Sequence, residues 1–119
     1  PPDLMPTALD FLKVPIPETV QGSSILPLLR GRKKAWRSSA VSAGHRSFAQ
    51  ISDRRWLYGA WVHDHPPKLF DRRTDPNQQR DVLRKNPKIA RRLHRRLISE
   101  LKRLGGSEDH VETIANKLK

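Results

Sequence analysis

The chain contains no cysteine, which removes a disulfide framework, a thiolate-held zinc and a thiol nucleophile from consideration. Aromatics are only 6% of its 119 residues and apolar residues 35%, so any core is thin for the length. No apolar run approaches the roughly 18–20 residues that cross a bilayer, and the start lacks the layout of a signal peptide. Acidic residues are scarce, at 12 against 24 Lys and Arg, for a net charge of +12. No glycine-rich phosphate loop is present, because Gly105-Gly106 ends a helical pattern instead of opening one. Ser23-Ser24 and Ser38-Ser39 lack the G-x-S-x-G surround of a serine nucleophile and the order of partners it needs. Nothing here assembles an enzyme by itself. The first residue is Pro1, not Met, and the chain reads as a piece of something larger.

What is present falls into stretches of different character. Asp3–Leu12 places apolar residues at Leu4, Met5, Ala8, Leu9, Phe11 and Leu12, the spacing of a short helix with Asp3 as N-cap. Ser23–Gly31 reads as a second helix of one or two turns, capped by serine and stopped by Gly31. Neither is long enough to stand alone in water. Arg37–Asp71 is different: Ser39–Ala43, Ser47–Ile51, Arg55–Val62 and Lys68–Asp71 are short β-prone runs separated by turn-type residues. In them Ala49 and Ile51 alternate with Phe48 and Gln50, and Trp56, Tyr58 and Ala60 share a face. Asn86-Pro87 then starts a helix in which Ile89, Leu93, Leu97, Leu101 and Leu104 recur at steps of four and three until Gly105. A last short helix follows Ser107, with Val111, Ile114 and Leu118 as its stripe. The expected fold is therefore α+β: a small four-stranded antiparallel sheet packed against one long C-terminal helix, preceded by short helices.

Three groups of polar residues are candidates for chemistry. From Arg72 to Arg103 there are twelve Lys and Arg against three Asp and Glu, so three quarters of the net charge lies there. Lys88, Arg91, Arg92, Arg95 and Arg96 fall opposite the leucine stripe, as either an anion-binding face or a solvated one whose arginine stems cover the edges of the core. His63-Asp64-His65 offers two imidazoles and a carboxylate, with His45, His94 and Asp71 as further donors by availability alone, and no metal is assigned. His45 beside Arg46 at a turn is suited to an anionic substrate, because imidazolium and guanidinium both bind oxyanions.

The order of these segments resembles the C-terminal end of the sulfatase family, within the alkaline-phosphatase-like superfamily. Asp3-Leu-Met-Pro-Thr-Ala-Leu-Asp-Phe-Leu12 looks like that family's D-L-x-P-T-L-L-D-L-A helix. Val14-Pro-Ile-Pro17 and Gly22-Ser-Ser-Ile-Leu-Pro-Leu-Leu-Arg-Gly31 are similar to its P-x-P and G-x-S-L-L-P-L-L-x-G segments. Asp53-Arg-Arg-Trp-Leu-Tyr58 stands where the family has T-x-x-Y/W-K-L-I, and Lys68–Asn77 sits like E-L-Y-D-L-x-x-D-P-x-E-x-x-N-L. Departures include Leu57 for the usual lysine, Phe70 for tyrosine, and a basic closing helix.

The resemblance implies a parent that is a sulfuric ester hydrolase, with a formylglycine and a calcium held upstream of this chain and no catalytic residue within it. It divides the chain into the tail of the catalytic domain (1–36), the C-terminal subdomain (37–105) and a helical extension (106–119). The expected partner is the parent's own N-terminal catalytic domain, and the expected ligand of the whole is a small sulfated substrate. His45, Arg46, His63 and His65 would help to rim its pocket, and a relative acting on phosphate or phosphonate esters stays open. The competing reading is a stand-alone basic module that grips nucleic acid or another polyanion through Lys88–Arg103, although nucleic acid is not the expected partner. The composition suits either a cytoplasmic or an exported bacterial-type protein.

Overall fold

The computed structural model describes residues 2–32, 36–44 and 47–118, and its elements fall into two units, Pro1–Arg37 and Ser38–Lys119. In the first, helix α1 covers Leu4–Phe11 and helix α2 covers Leu26–Leu29. Polar bonds hold it more than apolar burial does. The Asp3 carboxylate accepts the Ser23 N–H at 2.9 Å and the Arg37 guanidinium at 2.6 Å. Thr7 Oγ1 donates to the Asp3 carbonyl and accepts the Ile25 N–H at 3.1 Å, and Asp10 accepts the Ser24 hydroxyl. Asp3 thus occupies the N-cap position without capping: its backbone is already helical, and its side chain is taken by Ser23 and Arg37. Ser24, two residues before α2, does supply a cap-like bond, accepting the Leu26 N–H at 3.2 Å. At the end of α2, Gly31 turns left-handed (φ +66°), and the Gly31 and Arg32 N–H groups close on Leu28 and Pro27. Lys13 makes the corresponding turn after α1 at φ +57°, where a side chain carries strain.

The second unit is the expected α+β body. Strands β1 (Ala40–Gly44), β2 (Phe48–Ser52), β3 (Trp56–Trp61) and β4 (Lys68–Asp71) form an antiparallel sheet in the order β1-β2-β3-β4. The first two begin one residue later than the sequence ranges, and the fourth coincides with its range. Register pairs Ile51 with Tyr58 and Tyr58 with Leu69, so one face collects Ala49, Ile51, Trp56, Tyr58, Ala60 and Leu69. The Asp81 carboxylate accepts the Leu69 N–H, and Val82 N–H donates to the Leu69 carbonyl at 2.8 Å. The outer edge of β4 is thereby covered, which blunts its capacity to pair with another chain.

Helix α3 (Pro87–Arg103) lays Ala90, Leu93, Leu97 and Leu101 onto that face, and helix α4 (Glu108–Ala115) adds Val111 and Ile114. Full burial of a leucine is worth about 1.5–3 kcal/mol, which makes this seam the main source of stability. The α3 stripe is wider than the leucine spacing alone suggests, because His94 is buried with it. Asn86 and Ser107 sit at the two N-cap positions without side-chain cap bonds. The Asn86 amide turns back to the Val82 carbonyl at 3.1 Å instead. Gly105 at φ +75° ends α3: its N–H and that of Gly106 close on Lys102 and Leu101.

Candidate functional site

The face of α3 opposite the core carries the densest charge in the chain. Lys88, Arg91, Arg92, Arg95, Arg96, Lys102 and Arg103 are all exposed, since steps of three and four return to one side of a helix. Two of them tie α3 to neighbours: Arg92 Nη2 reaches Asp53 Oδ2 at 3.3 Å, and Arg96 Nη2 donates to Ser38 Oγ at 2.6 Å. Arg103 pairs with Glu100 at 2.8 Å on the helix itself. Lys88, Arg91, Arg95 and Lys102 have no ion pair or hydrogen bond among the described residues.

Asp53 makes the turn between β2 and β3, and arginines from three elements gather around it. Its Oδ1 accepts the Arg55 and Trp56 N–H groups at 2.9 and 2.7 Å, an Asx-type turn. Arg72 Nη1 donates to its carbonyl at 3.4 Å, and Arg54 stands exposed beside it. Arg55 forks onto Asp71, with Nε to Oδ1 at 3.0 Å and Nη2 to Oδ2 at 2.7 Å. Its guanidinium carbon also lies 4.7 Å from the Trp56 ring centroid. The Arg55 hydrogen bonds hold the Asp71 carboxyl below its ordinary pKa, against the burial that raises it. Arg55 and Asp71 therefore neutralise one another, whereas Arg54 and Arg72 have no carboxylate partner among the described residues.

The other sequence candidates are scattered. His45 and Arg46 lie outside the described residues. His63 and His65 are exposed in the loop before β4, where the His65 N–H closes on the His63 carbonyl at 2.6 Å. Lys117 Nζ donates to that same carbonyl at 2.8 Å, so the segment after α4 is tied to the loop. The donors considered with them are already engaged: Asp71 by Arg55, and His94 inside the core. Among the described residues no three His, Cys, Asp or Glu side chains come together to hold a metal. The described residues thus do not fit a calcium site, and the sequence holds no C/S-x-P/A-S-R motif from which a formylglycine would be made. Ser23, Ser24 and Ser38 serve as hydrogen-bonding partners within the fold.

One polar pair was missed by the sequence. Tyr58 Oη and His94 Nδ1 are 3.0 Å apart, their rings edge-to-face with centroids 5.6 Å apart. His94 Nε2 lies 3.1 Å from the Ala115 carbonyl. A carbonyl only accepts, so Nε2 carries the hydrogen, and in the neutral ring Nδ1 accepts from the Tyr58 hydroxyl. Burial pushes the tyrosine pKa up and the histidine pKa down, the Ala115 carbonyl opposing the latter. The signal was a histidine one step after Leu93 in an apolar stripe. A cleft of about 550 Å³ also lies between α3 and α4, lined by Ile98, Lys102, Val111, Glu108 and Glu112 among others.

No family model matches the chain. Curated relatives include the Delta 4,5-hexuronate-2-O-sulfatase of Bacteroides thetaiotaomicron, 29% identical over 108 residues, which are 82% of this chain and 22% of that protein. The arylsulfatase K of Xenopus laevis is 30% identical over 112 residues, 82% of this chain and 21% of that protein. The chain thus spans about a fifth of the length of these curated relatives. A structure solved in complex with its substrate D-glucosamine-2-N,6-O-disulfate shares the fold at a TM-score of 0.78 and 20% identity, over 91% of this chain and 25% of that one. The phosphonate monoester hydrolase of Silicibacter pomeroyi matches at a TM-score of 0.71 and 27% identity, over 85% of this chain and 24% of that one. In sequence and in fold, the chain corresponds to the C-terminal portion of a sulfatase.

Proposed function

We propose that the chain is the non-catalytic C-terminal part of a hydrolase of sulfate esters, completing a catalytic domain and rimming its anionic pocket. The observation that carries this reading is the apolar surface of the N-terminal unit. Leu4, Met5, Phe11, Leu12 and Leu29 are each more than half exposed there. Side chains of this kind gathered on a small unit mark a surface made to be covered. In this reading 1–36 is the tail of the catalytic domain, 37–105 the subdomain and 106–119 its extension. The catalytic domain supplies the formylglycine and the calcium, and His45, Arg46, His63 and His65 stand at the pocket rim. A basic rim raises the local concentration of a sulfated substrate and speeds its association, most at low salt.

The test is sulfate release by the protein that carries this chain, from a 2-O-sulfated hexuronate disaccharide and from an aryl sulfate, beside phosphonate and phosphate monoesters. Preference for a sulfate ester supports the reading, and hydrolysis of the phosphonate alone moves the chain to the phosphonate hydrolases. H45A/R46A and H63A/H65A should each lower kcat/KM for the sulfated disaccharide. Unchanged kcat/KM removes that pair from the rim.

A further inference from the structure

We propose that the basic face of α3, continued onto the β2–β3 turn, binds an extended sulfated polysaccharide chain. This rests on the sulfate-ester reading above and names a surface for it. Lys88 to Arg103 spans about 22 Å along the helix, at 1.5 Å per residue. The side chains that flank this row are already braced, Arg92 by Asp53 and Arg96 by Ser38, so two guanidinium groups are held in place before any ligand arrives. Beside them, Lys88, Arg91 and Arg95 have no ion pair or hydrogen bond among the described residues. Three uncompensated cations on adjacent turns repel one another, and an anionic chain relieves that repulsion. Arg92 joins the row to Arg54 and Arg72 at the turn, so the positive surface runs across two elements.

Arginine predominates on the face, and its planar fork meets a sulfate oxygen pair with two parallel hydrogen bonds. A nucleic-acid strand would look for aromatic platforms on which to stack bases. Trp56 and Tyr58 are instead buried in the core, and α3 carries no Phe, Trp or Tyr, its one imidazole, His94, being buried. Pendant sulfates along a flexible chain need only the row of cations, which is what the face provides.

The experiment is fluorescence anisotropy of a labelled heparin-type oligosaccharide titrated with the protein that carries this chain, at about 50 and about 200 mM salt. Affinity should fall with salt, as polyanion binding does. K88Q/R91Q/R95Q should weaken binding roughly tenfold or more, with Tm little changed because these side chains are exposed. K13Q/R30Q/R32Q removes the same charge from the N-terminal unit and should leave affinity within about twofold. Equal weakening by both variants, unchanged binding by the first, or equal affinity for a desulfated chain or for duplex DNA of matched charge would each overturn the proposal. Sulfate release by the wild-type protein is measured alongside. Release without chain binding sinks the surface and keeps the sulfate-ester reading. Chain binding lost in K88Q/R91Q/R95Q without release from any ester keeps the surface and sinks that reading.

Discussion

The two units of this chain solve the problem of apolar surface in opposite ways. Pro1–Arg37 buries Pro6 and Leu26 and exposes seven large apolar side chains, its shape set by hydrogen bonds from Asp3, Thr7 and Asp10. Ser38–Lys119 gathers twelve buried residues in one cluster and turns its charge outward. Hydrogen bonds exchange with water at small net gain, whereas apolar burial does not. The C-terminal unit should therefore carry nearly all of the chain's own stability, and the N-terminal unit should draw its stability from what covers it.

The sharpest break of this contrast is truncation in each unit. L97A should destabilise by about 2–5 kcal/mol, because it empties the centre of the α3–sheet seam. F11A, at a side chain that is 65% exposed, should change the stability of the isolated chain by less than about 0.5 kcal/mol. Urea unfolding followed by tryptophan fluorescence reads both, and comparable losses would erase the distinction. If the proposed catalytic domain covers Phe11, F11A should cost more in the full protein than in the isolated chain.

Next in size is the buried Tyr58–His94 pair. Y58F removes the donor to His94 Nδ1 and should cost about 1–2 kcal/mol. The same pair makes the C-terminal unit sensitive to acid. Burial lowers the folded-state pKa of His94 below 6.5, so the unfolded chain takes up the proton first. The His94 contribution is fully present above about pH 6.5 and is lost as pH falls through that value toward the lower folded pKa. H94Q should flatten that part of the stability–pH curve, and an unchanged slope would show that the ring titrates elsewhere. Asp71 acts in a lower window: its contribution is present above about pH 3.8 and lost as pH falls through its depressed pKa, a drop that D71N should abolish.

Smaller effects belong to the N-terminal unit. T7V deletes the bonds to Asp3 and Ile25 and should loosen this unit by about 1 kcal/mol, seen as faster amide exchange at Ile25 while Leu93 and Leu97 are unaffected. K13G should act in the other direction, by about 0.5–1 kcal/mol, because a glycine accepts the φ of +57° without a Cβ clash. Slower exchange at the Val14 N–H, which closes on Leu9, is the readout.

Much of the architecture was legible because it depends on short-range periodicity. The four-step leucines of α3, the alternation in β2 and β3, and Gly105 as a left-handed stop each follow from geometry within a few residues. The caps failed where a side chain had a better offer from elsewhere. Asp3 is engaged by Ser23 and by Arg37, 34 residues away, and Asn86 by Val82. Of the candidate site, the row of cations on α3 was readable from spacing alone, as was the loop that carries His63 and His65 ahead of Pro66-Pro67. The convergence of Arg54, Arg55, Arg72 and Arg92 on one turn was not, because it needs the β3–β4 pairing and the placement of α3 on the sheet.

The sequence by itself determined an α+β body with one basic helix and a family likeness to the sulfatases, since patterning and motif order are local properties of a chain. Only the tertiary structure decided which charges are spent and which are free. Asp71 answers Arg55, Asp53 answers Arg92, and His94 turns inward to Tyr58, leaving Lys88, Arg91 and Arg95 unanswered among the described residues. Pairing between charges acts over a few ångströms of space, and distance in space is what a linear sequence does not contain.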